Sequence, residues 1–298
     1  MTTMTSDEFL RQLDECKAVV EARLNELLPV SNEKYATLID AMRYSLLDGG
    51  KRIRAIICLK FCEAVCGSFE KAIPAACAIE MLHAYTLIHD DLPCMDDDDM
   101  RRGKASNHIK YGEYTAVLAG DAMQALVFQT ILSSDLPPKT VVLMAQILAE
   151  GAGPNGVCAG QYLDLSGEGN MHTVDELMEI YTKKTSTLIT IAACLGIEAG
   201  RGSQKQFDAA GQYAGLLGLA FQIRDDTLDH TSTEQELGKP IGSDAANKKN
   251  TLASILGLDE CEKKCDTLTD GAIEAIEGDF ENTEFLEFLA RYLVNRKN

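Results

Sequence analysis

Two acidic clusters are the residues most able to do chemistry. Asp90 and Asp91 open the first, which runs DDLPCMDDDD through Asp96 to Asp99; Asp225, Asp226 and Asp229 form the second, in FQIRDDTLD. Two carboxylates about 4 Å apart repel by roughly 1 kcal/mol in water and about 4 kcal/mol at an effective dielectric of 20, so each cluster calls for a cation. Hard divalent ions suit such oxygen-rich groups. Mg²⁺ in particular takes one or two carboxylates and leaves its other positions to water and phosphate. Neither cluster has the alternating D-x-D-x-D-G pattern and closing Glu of an EF-hand loop.

A lone acidic run is usually a solvated loop, but the settings of these two argue otherwise. The first follows an apolar helical segment over 73–89, and Pro93 disfavours helical geometry at Leu92, which puts Asp90 and Asp91 at a helix C-terminus. The macrodipole is negative there and disfavours each carboxylate by a few tenths of a kcal/mol. In the second, Asp225 and Asp229 are four residues apart and share a helix face among Leu219, Phe221, Ile223 and Leu228. His83 lies seven residues before Asp90, on nearly the same face two turns away.

The elements that must position these groups are helices. Trp is absent, Pro numbers only 7, and Ala, Leu, Glu and Lys are plentiful, which favours helices over short strands. Apolar residues at helical intervals predict helices over 7–28, 35–47, 54–66, 73–89, 115–132, 138–150, 157–166, 174–195, 205–228, 250–256 and 284–294, the first capped by Ser6 or Asp7. The richest break, GAGPNG at 151–156, is followed at once by more helix, and no linker composition occurs, so one all-α domain spanning 1–298 is expected: a large helix bundle.

Composition excludes other classes. With apolar residues at 46% and charged residues at 25%, the chain is a packing sequence, not a disordered one. A formal charge of −18 argues against nucleic acid or anionic lipid as partner. The most apolar stretch, 116–132, is interrupted by Gly120 and Asp121 and falls short of a membrane span, so no stable membrane insertion is expected. The start MTTMTSDEFLRQLDE lacks the basic and apolar pattern of a secretory signal, and a cytoplasmic location is expected. The 10 cysteines sit within apolar helical patterns without zinc spacing and read as buried, reduced thiols.

Several shorter motifs accompany the clusters. Asp90-Asp91-Leu92-Pro93-Cys94-Met95-Asp96 has the form DDxxxxD and precedes Arg101-Arg102-Gly103, while Asp225-Asp226-Thr227-Leu228-Asp229 has the form DDxxD. Gly49-Gly50-Lys51-Arg52-Ile53-Arg54, Gly160-Gln161-Tyr162-Leu163-Asp164, Lys184-Thr185, Phe221-Gln222, and Gly238-Lys239 leading to Gly242-Ser243-Asp244 complete the set. Along almost its whole length the chain resembles the trans-polyprenyl diphosphate synthase family, in particular its bacterial short-chain farnesyl diphosphate synthases. Two departures stand out. Ala55 occupies a position where Pro commonly follows the basic motif, and Lys248-Lys249-Asn250-Thr251-Leu252 replaces a GKxTY-like segment, leaving Lys249 less defined than Lys239.

The resemblance implies an isoprenoid synthase bundle with a central cavity. It also implies head-to-tail condensation, in which an allylic diphosphate ionises, isopentenyl diphosphate attacks the cation, and released diphosphate accepts the proton. Several Mg²⁺ ions, three with substrate bound, would be held by Asp90, Asp96 and Asp225. Asp91, Asp226, Asp229, Asp164 and Asp244 would be further ligands or structural hydrogen-bonding groups. Arg101, Lys184, Thr185, Gln222, Lys239 and Lys249 would meet the allylic diphosphate, with Arg101, Lys184 and Lys239 also catalytic. Lys51, Arg54, His83 and Arg102 would meet isopentenyl diphosphate. Thr86 and Tyr85 lie four and five residues before Asp90, about 6 and 7.5 Å down the helix. Tyr85 is there either a floor to the tail cavity or ordinary core. As a floor it implies C15 farnesyl diphosphate, with C20 or C10 as alternatives. The resemblance further implies a homodimer. A terpene cyclase and a noncatalytic, dimer-forming regulatory relative are the competing readings.

Overall fold

Alternating stretches of apolar and capping residues produce the helices in turn. The structure is a computed structural model, and it describes residues 4–167, 169, 171–231 and 251–295. Helix α1 (Ser6–Leu27) is capped by Thr5, one residue ahead of the expected caps, whose hydroxyl accepts the Glu8 N–H at 3.3 Å. It buries Phe9, Cys16, Val20 and Leu24. Helix α2 (Ala36–Leu46) leads into α3 (Ile53–Cys66), and a 3₁₀ turn at Glu70–Ala72 leads into α4 (Ile73–Asp90), with a proline in the first turn of α4. Both α3 and α4 are apolar almost all round and are buried accordingly.

A feature absent from the sequence reading follows: the hairpin of β1 (Met100–Arg101) and β2 (Lys104–Ala105). Its two turn residues, Arg102 and Gly103, have φ of 53° and 76°. Positive φ at both positions is what a two-residue hairpin turn demands.

Helices α5 (Asn107–Tyr111), α6 (Glu113–Leu132), α7 (Pro138–Ala152), α8 (Val157–Ser166) and α9 (Val174–Tyr181) come next. The stretch expected as one helix over 174–195 is in fact α9, a π-helical turn at Thr182–Ser186, and α10 (Thr187–Gly200). Helix α11 (Gln204–Thr231) is followed, after residues not described, by α12 (Leu252–Leu256), α13 (Leu258–Ile276) and α14 (Glu284–Val294).

Helix α10 lies at the centre, in contact with α3, α4, α7 and α11. Helix α4 packs along α6, and α11 packs along α13. At one end, Phe9 of α1 meets the rings of Phe285 and Phe288 of α14 at 4.9 and 4.5 Å. Helix α6 is long and apolar enough, by length and composition alone, to cross a membrane, which the sequence reading denied to any stretch; nearly half of its apolar window is buried inside the bundle. All ten cysteines are free, as expected, but Cys66, Cys94 and Cys158 are exposed, not buried.

Candidate active site

The end of α4 separates its two acids. Asp91, the C-cap, is 3% exposed, and its Oδ1 accepts Arg101 Nε at 2.8 Å and also Arg101 Nη2. Arg101 reaches Asp98 at 3.1 Å as well. Asp90 faces the cleft, where Gln161 of α8 donates to its Oδ1. Beyond Pro93 the chain folds back so that the Asp96 N–H meets the Asp90 carbonyl at 3.0 Å, which brings the first and last acids of the motif together.

Lys184 comes to this pair from the π-helical turn. Its Nζ lies 2.6 Å from Asp164, 3.9 Å from Asp96 and 4.0 Å from Asp90. Close approach of α8 makes this possible. A Cβ on Gly160 would stand 2.3 Å from the Lys184 backbone nitrogen, so only glycine lets Gln161 and Asp164 flank that lysine. Burial pushes the Asp90 carboxyl up to about 6; Lys184 opposes the rise and Asp96 adds to it. Burial also opposes the charge on Lys184, but Asp90, Asp164 and Asp96 outweigh it and raise its pKa.

The second cluster lies on α11. Asp225 is half-buried and close enough to Arg54 of α3 to act on its charge. Asp226 is 3% exposed and spans three elements: Oδ2 accepts the Tyr181 hydroxyl and the Leu252 N–H at 3.3 Å, and Oδ1 accepts Gln222 Nε2 at 3.1 Å. Gln222 Oε1 in turn accepts Thr185 Oγ1 at 2.7 Å. Asp229 is 5% exposed. The structural alternative thus describes Asp91 and Asp226, whose oxygens are committed to protein donors, whereas Asp90 and Asp96 open on the cleft.

A basic pocket adjoins the same cleft. Arg54 is half-buried, and its Nη1 lies 3.3 Å from His83 Nε2. Burial, then Arg54 and Arg102, hold His83 well below the usual imidazole range. An arginine only donates, so His83 Nε2 accepts and the ring proton sits on Nδ1. Arg102, at the hairpin turn, donates to the Gly49 carbonyl at 3.1 Å. Lys51 is exposed at the rim. Lys239 and Lys249, with Lys248 and Asp244, lie outside the described residues.

Below Asp90, the Thr86 hydroxyl turns back to the His83 carbonyl at 2.8 Å. Tyr85 is half-buried, its ring edge-on to His89 at 4.9 Å, and its hydroxyl lies near Cys158 of α8, whose thiol donates to the Ala152 carbonyl at 3.0 Å. The sequence reading assigned no role to Gln161 or Glu80. Gln161 was visible only as part of a motif; Glu80 was visible as one charged residue within an otherwise apolar helix.

A bundle of helices with a single short hairpin among the described residues, two acidic clusters, Lys184 among the acids of the first, and an adjoining cavity lined by arginines define a helical enzyme built to hold anions beside a cation-requiring centre. Residues 35–289 match the polyprenyl synthetase family, and the chain belongs to it. It is 42% identical over 298 residues to the geranylgeranyl diphosphate synthase of Cyanophora paradoxa, covering 99% of this chain and 98% of that protein. Its fold is similar to that of geranylgeranyl pyrophosphate synthetase from Pyrococcus horikoshii, with a TM-score of 0.88, 29% identity, and coverage of 97% of this chain and 99% of that one. An FPP/GFPP synthase from Zymomonas mobilis is similar too, with a TM-score of 0.85, 32% identity, and coverage of 97% and 100%. The expected all-α isoprenoid synthase fold and family are therefore found.

Proposed function

We propose that this prenyltransferase condenses isopentenyl diphosphate with allylic diphosphates and releases geranylgeranyl diphosphate, C20, as its end product. The observation that carries the chemistry is the gathering of Asp90, Asp96 and Asp164 around Lys184, beside a cavity lined by Arg52, His83, Arg101 and Arg102. The chain length follows the relatives named above as geranylgeranyl synthases.

The carboxylates fit Mg²⁺. Two partly buried carboxylates that open on the cleft beside each other, Asp90 and Asp96, are a donor set for a hard cation. Among the described residues no three acidic, His or Cys side chains converge closely enough to hold a metal unaided. An ion here would share its shell with substrate oxygens. Asp90, Asp96 and Asp225 would hold it, and when bound it supplies Lewis-acid stabilisation of the departing diphosphate.

The remaining work falls to the chain's own groups. Lys184 and Arg101 offer charge to the allylic diphosphate, and Thr185 and Gln222 place oxygens beside the cation left behind. Arg54, Arg102, Lys51 and His83 hold isopentenyl diphosphate, because guanidinium forks match phosphate oxygens. The diphosphate released takes the proton, and no side-chain base is required.

A C15 product is the second reading, favoured by Tyr85. Tyr85 of α4 lies near Cys158 of α8 one level beneath the Asp90–Gln161 pair, along the path proposed for the tail. Incubation with isopentenyl diphosphate, Mg²⁺ and each of the C5, C10 and C15 allylic diphosphates decides between them. Elongation of the C15 substrate supports C20, its refusal supports C15, and failure to elongate any substrate defeats both. A homodimer is proposed as well. Tyr114, Val117 and Leu118 present an exposed apolar strip on α6, and sedimentation equilibrium tests it.

A further inference from the structure

We infer that Glu80, a buried carboxylate, is the positioning residue of the arginine pocket that binds isopentenyl diphosphate. The inference rests on the function proposed above.

Glu80 is on α4, three residues before His83, with its side chain 4% exposed. A buried carboxylate costs several kcal/mol unless it is paired and hydrogen-bonded. Its Oε1 accepts the Ala55 N–H at 3.1 Å, and its Oε2 accepts Arg52 Nη1 at 3.3 Å. Both contacts fall on the segment that carries Lys51 and Arg54.

The first contact supplies a cap that α3 lacks. The opening N–H groups of any helix have no partner within it. The N-cap position of α3 is Arg52, whose side chain makes no capping bond. Glu80 crosses from α4 to provide the acceptor, placing a negative charge at the positive end of α3.

The second contact holds a strained residue. Arg52 has φ of 52°, left-handed, a conformation that a residue with a Cβ disfavours. Its side chain is only 2% exposed: Nη2 donates to the Leu46 carbonyl at 2.7 Å, and Nε lies 3.5 Å from Glu21. Arg52 is therefore an internal clamp. With it pinned, the chain reverses so that Lys51 emerges at the rim while Arg54 turns in to His83.

Glu80 also counters burial for Arg54 and for Arg102, two cations that otherwise repel each other. It lines the same cavity as Arg52, His83, Arg101 and Arg102. Two effects of removing its charge oppose each other. The pocket becomes more positive, which by itself tightens anion binding; the α3 entry loses its anchor, which loosens it. Positioning predicts that the second wins.

The test is Glu80→Gln in the full-length enzyme, with each substrate varied at saturating levels of the other. Loss of one charge-assisted hydrogen bond corresponds to about a tenfold rise in KM for isopentenyl diphosphate, with kcat and the allylic KM within about twofold. An unchanged or lowered KM for isopentenyl diphosphate overturns the inference. So does a parallel loss in kcat and both KM values, the mark of simple destabilisation. If Glu80→Gln does not unfold cooperatively, Glu80→Asp, which keeps the charge but withdraws it, is measured instead; it too must raise that KM alone, and parallel loss again refutes positioning. Should the unmodified enzyme not consume isopentenyl diphosphate, the proposed function fails, and titration with inorganic diphosphate in the presence of a chelator then judges Glu80. Weakening by about tenfold sustains its role and equal affinity removes it.

Discussion

Gln161 on α8 donates its side-chain amide to Asp90 at the end of α4, joining two helices across the mouth of the cleft. The bond satisfies a carboxylate that is buried and disfavoured by its helix end, and it fixes where that carboxylate points. Gln161→Leu therefore lowers kcat by roughly tenfold or more, the worth of one hydrogen bond to a charged group. Steady-state kinetics at saturating Mg²⁺ check this, and unchanged kcat would mean the bond only decorates the unliganded protein.

Asp90→Asn and Asp225→Ala each reduce turnover by orders of magnitude. Asp90→Asn has a second consequence. The Asp90 carboxyl is raised from 3.8 to about 6 in the fold, so folding favours the protonated form. The stability this lends is whole below pH 3.8 and lost as pH rises through about 6. The neutral amide escapes that loss. Without metal, Asp90→Asn melts a few degrees higher at pH 8, by roughly 1–3 kcal/mol, and shows no gain near pH 3.5. Calorimetry at the two pH values is the measurement; equal shifts at both would contradict the sign.

Changing the bulk at Tyr85 or Cys158 changes product length. Tyr85→Ala lengthens the product by at least one isoprene unit, and Cys158→Phe shortens it, both with little change in the first condensation. Chromatography of dephosphorylated products reads the result, and an unaltered distribution in Tyr85→Ala assigns that side chain to core packing.

The buried network around Asp226 predicts a structural effect. Tyr181→Phe removes one of the donors to the buried Asp226 carboxylate. Stability falls by about 1–3 kcal/mol. Urea denaturation measures it, and a change of a few tenths would show the network to be dispensable.

Much of this was written in the chain. The Asp90 helix end was legible because Pro93 stops the helix, and the α11 acids because four-residue spacing sets them on one face. Helix α13 was missed. Its buried stripe is Cys261, Cys265, Thr269, Ala272, Ile273 and Ile276, mostly small or sulfur-bearing residues that hardly register as apolar periodicity. The hairpin was missed because its signal is a conformation, positive φ at Arg102, which a side chain does not announce. The commitment of Asp91 to Arg101 and of Asp226 to Tyr181 depends on partners from other elements, and spacing within a motif says nothing of them. Glu80 belongs to the same kind, since its two partners lie 25 and 28 residues away in sequence.

The π-helical turn at Thr182–Ser186 holds Lys184 toward Asp164 while Thr185 meets Gln222. Such a turn is one residue longer than the regular helix it interrupts. Removing any single residue there would make a smoother helix and swing everything before it by about 100° relative to α10. What the chain must preserve at this point is a count as much as a composition. Side chains between Thr182 and Ser186 can change singly and cost one interaction, but a deletion of one codon would repair the helix and dismantle the cleft.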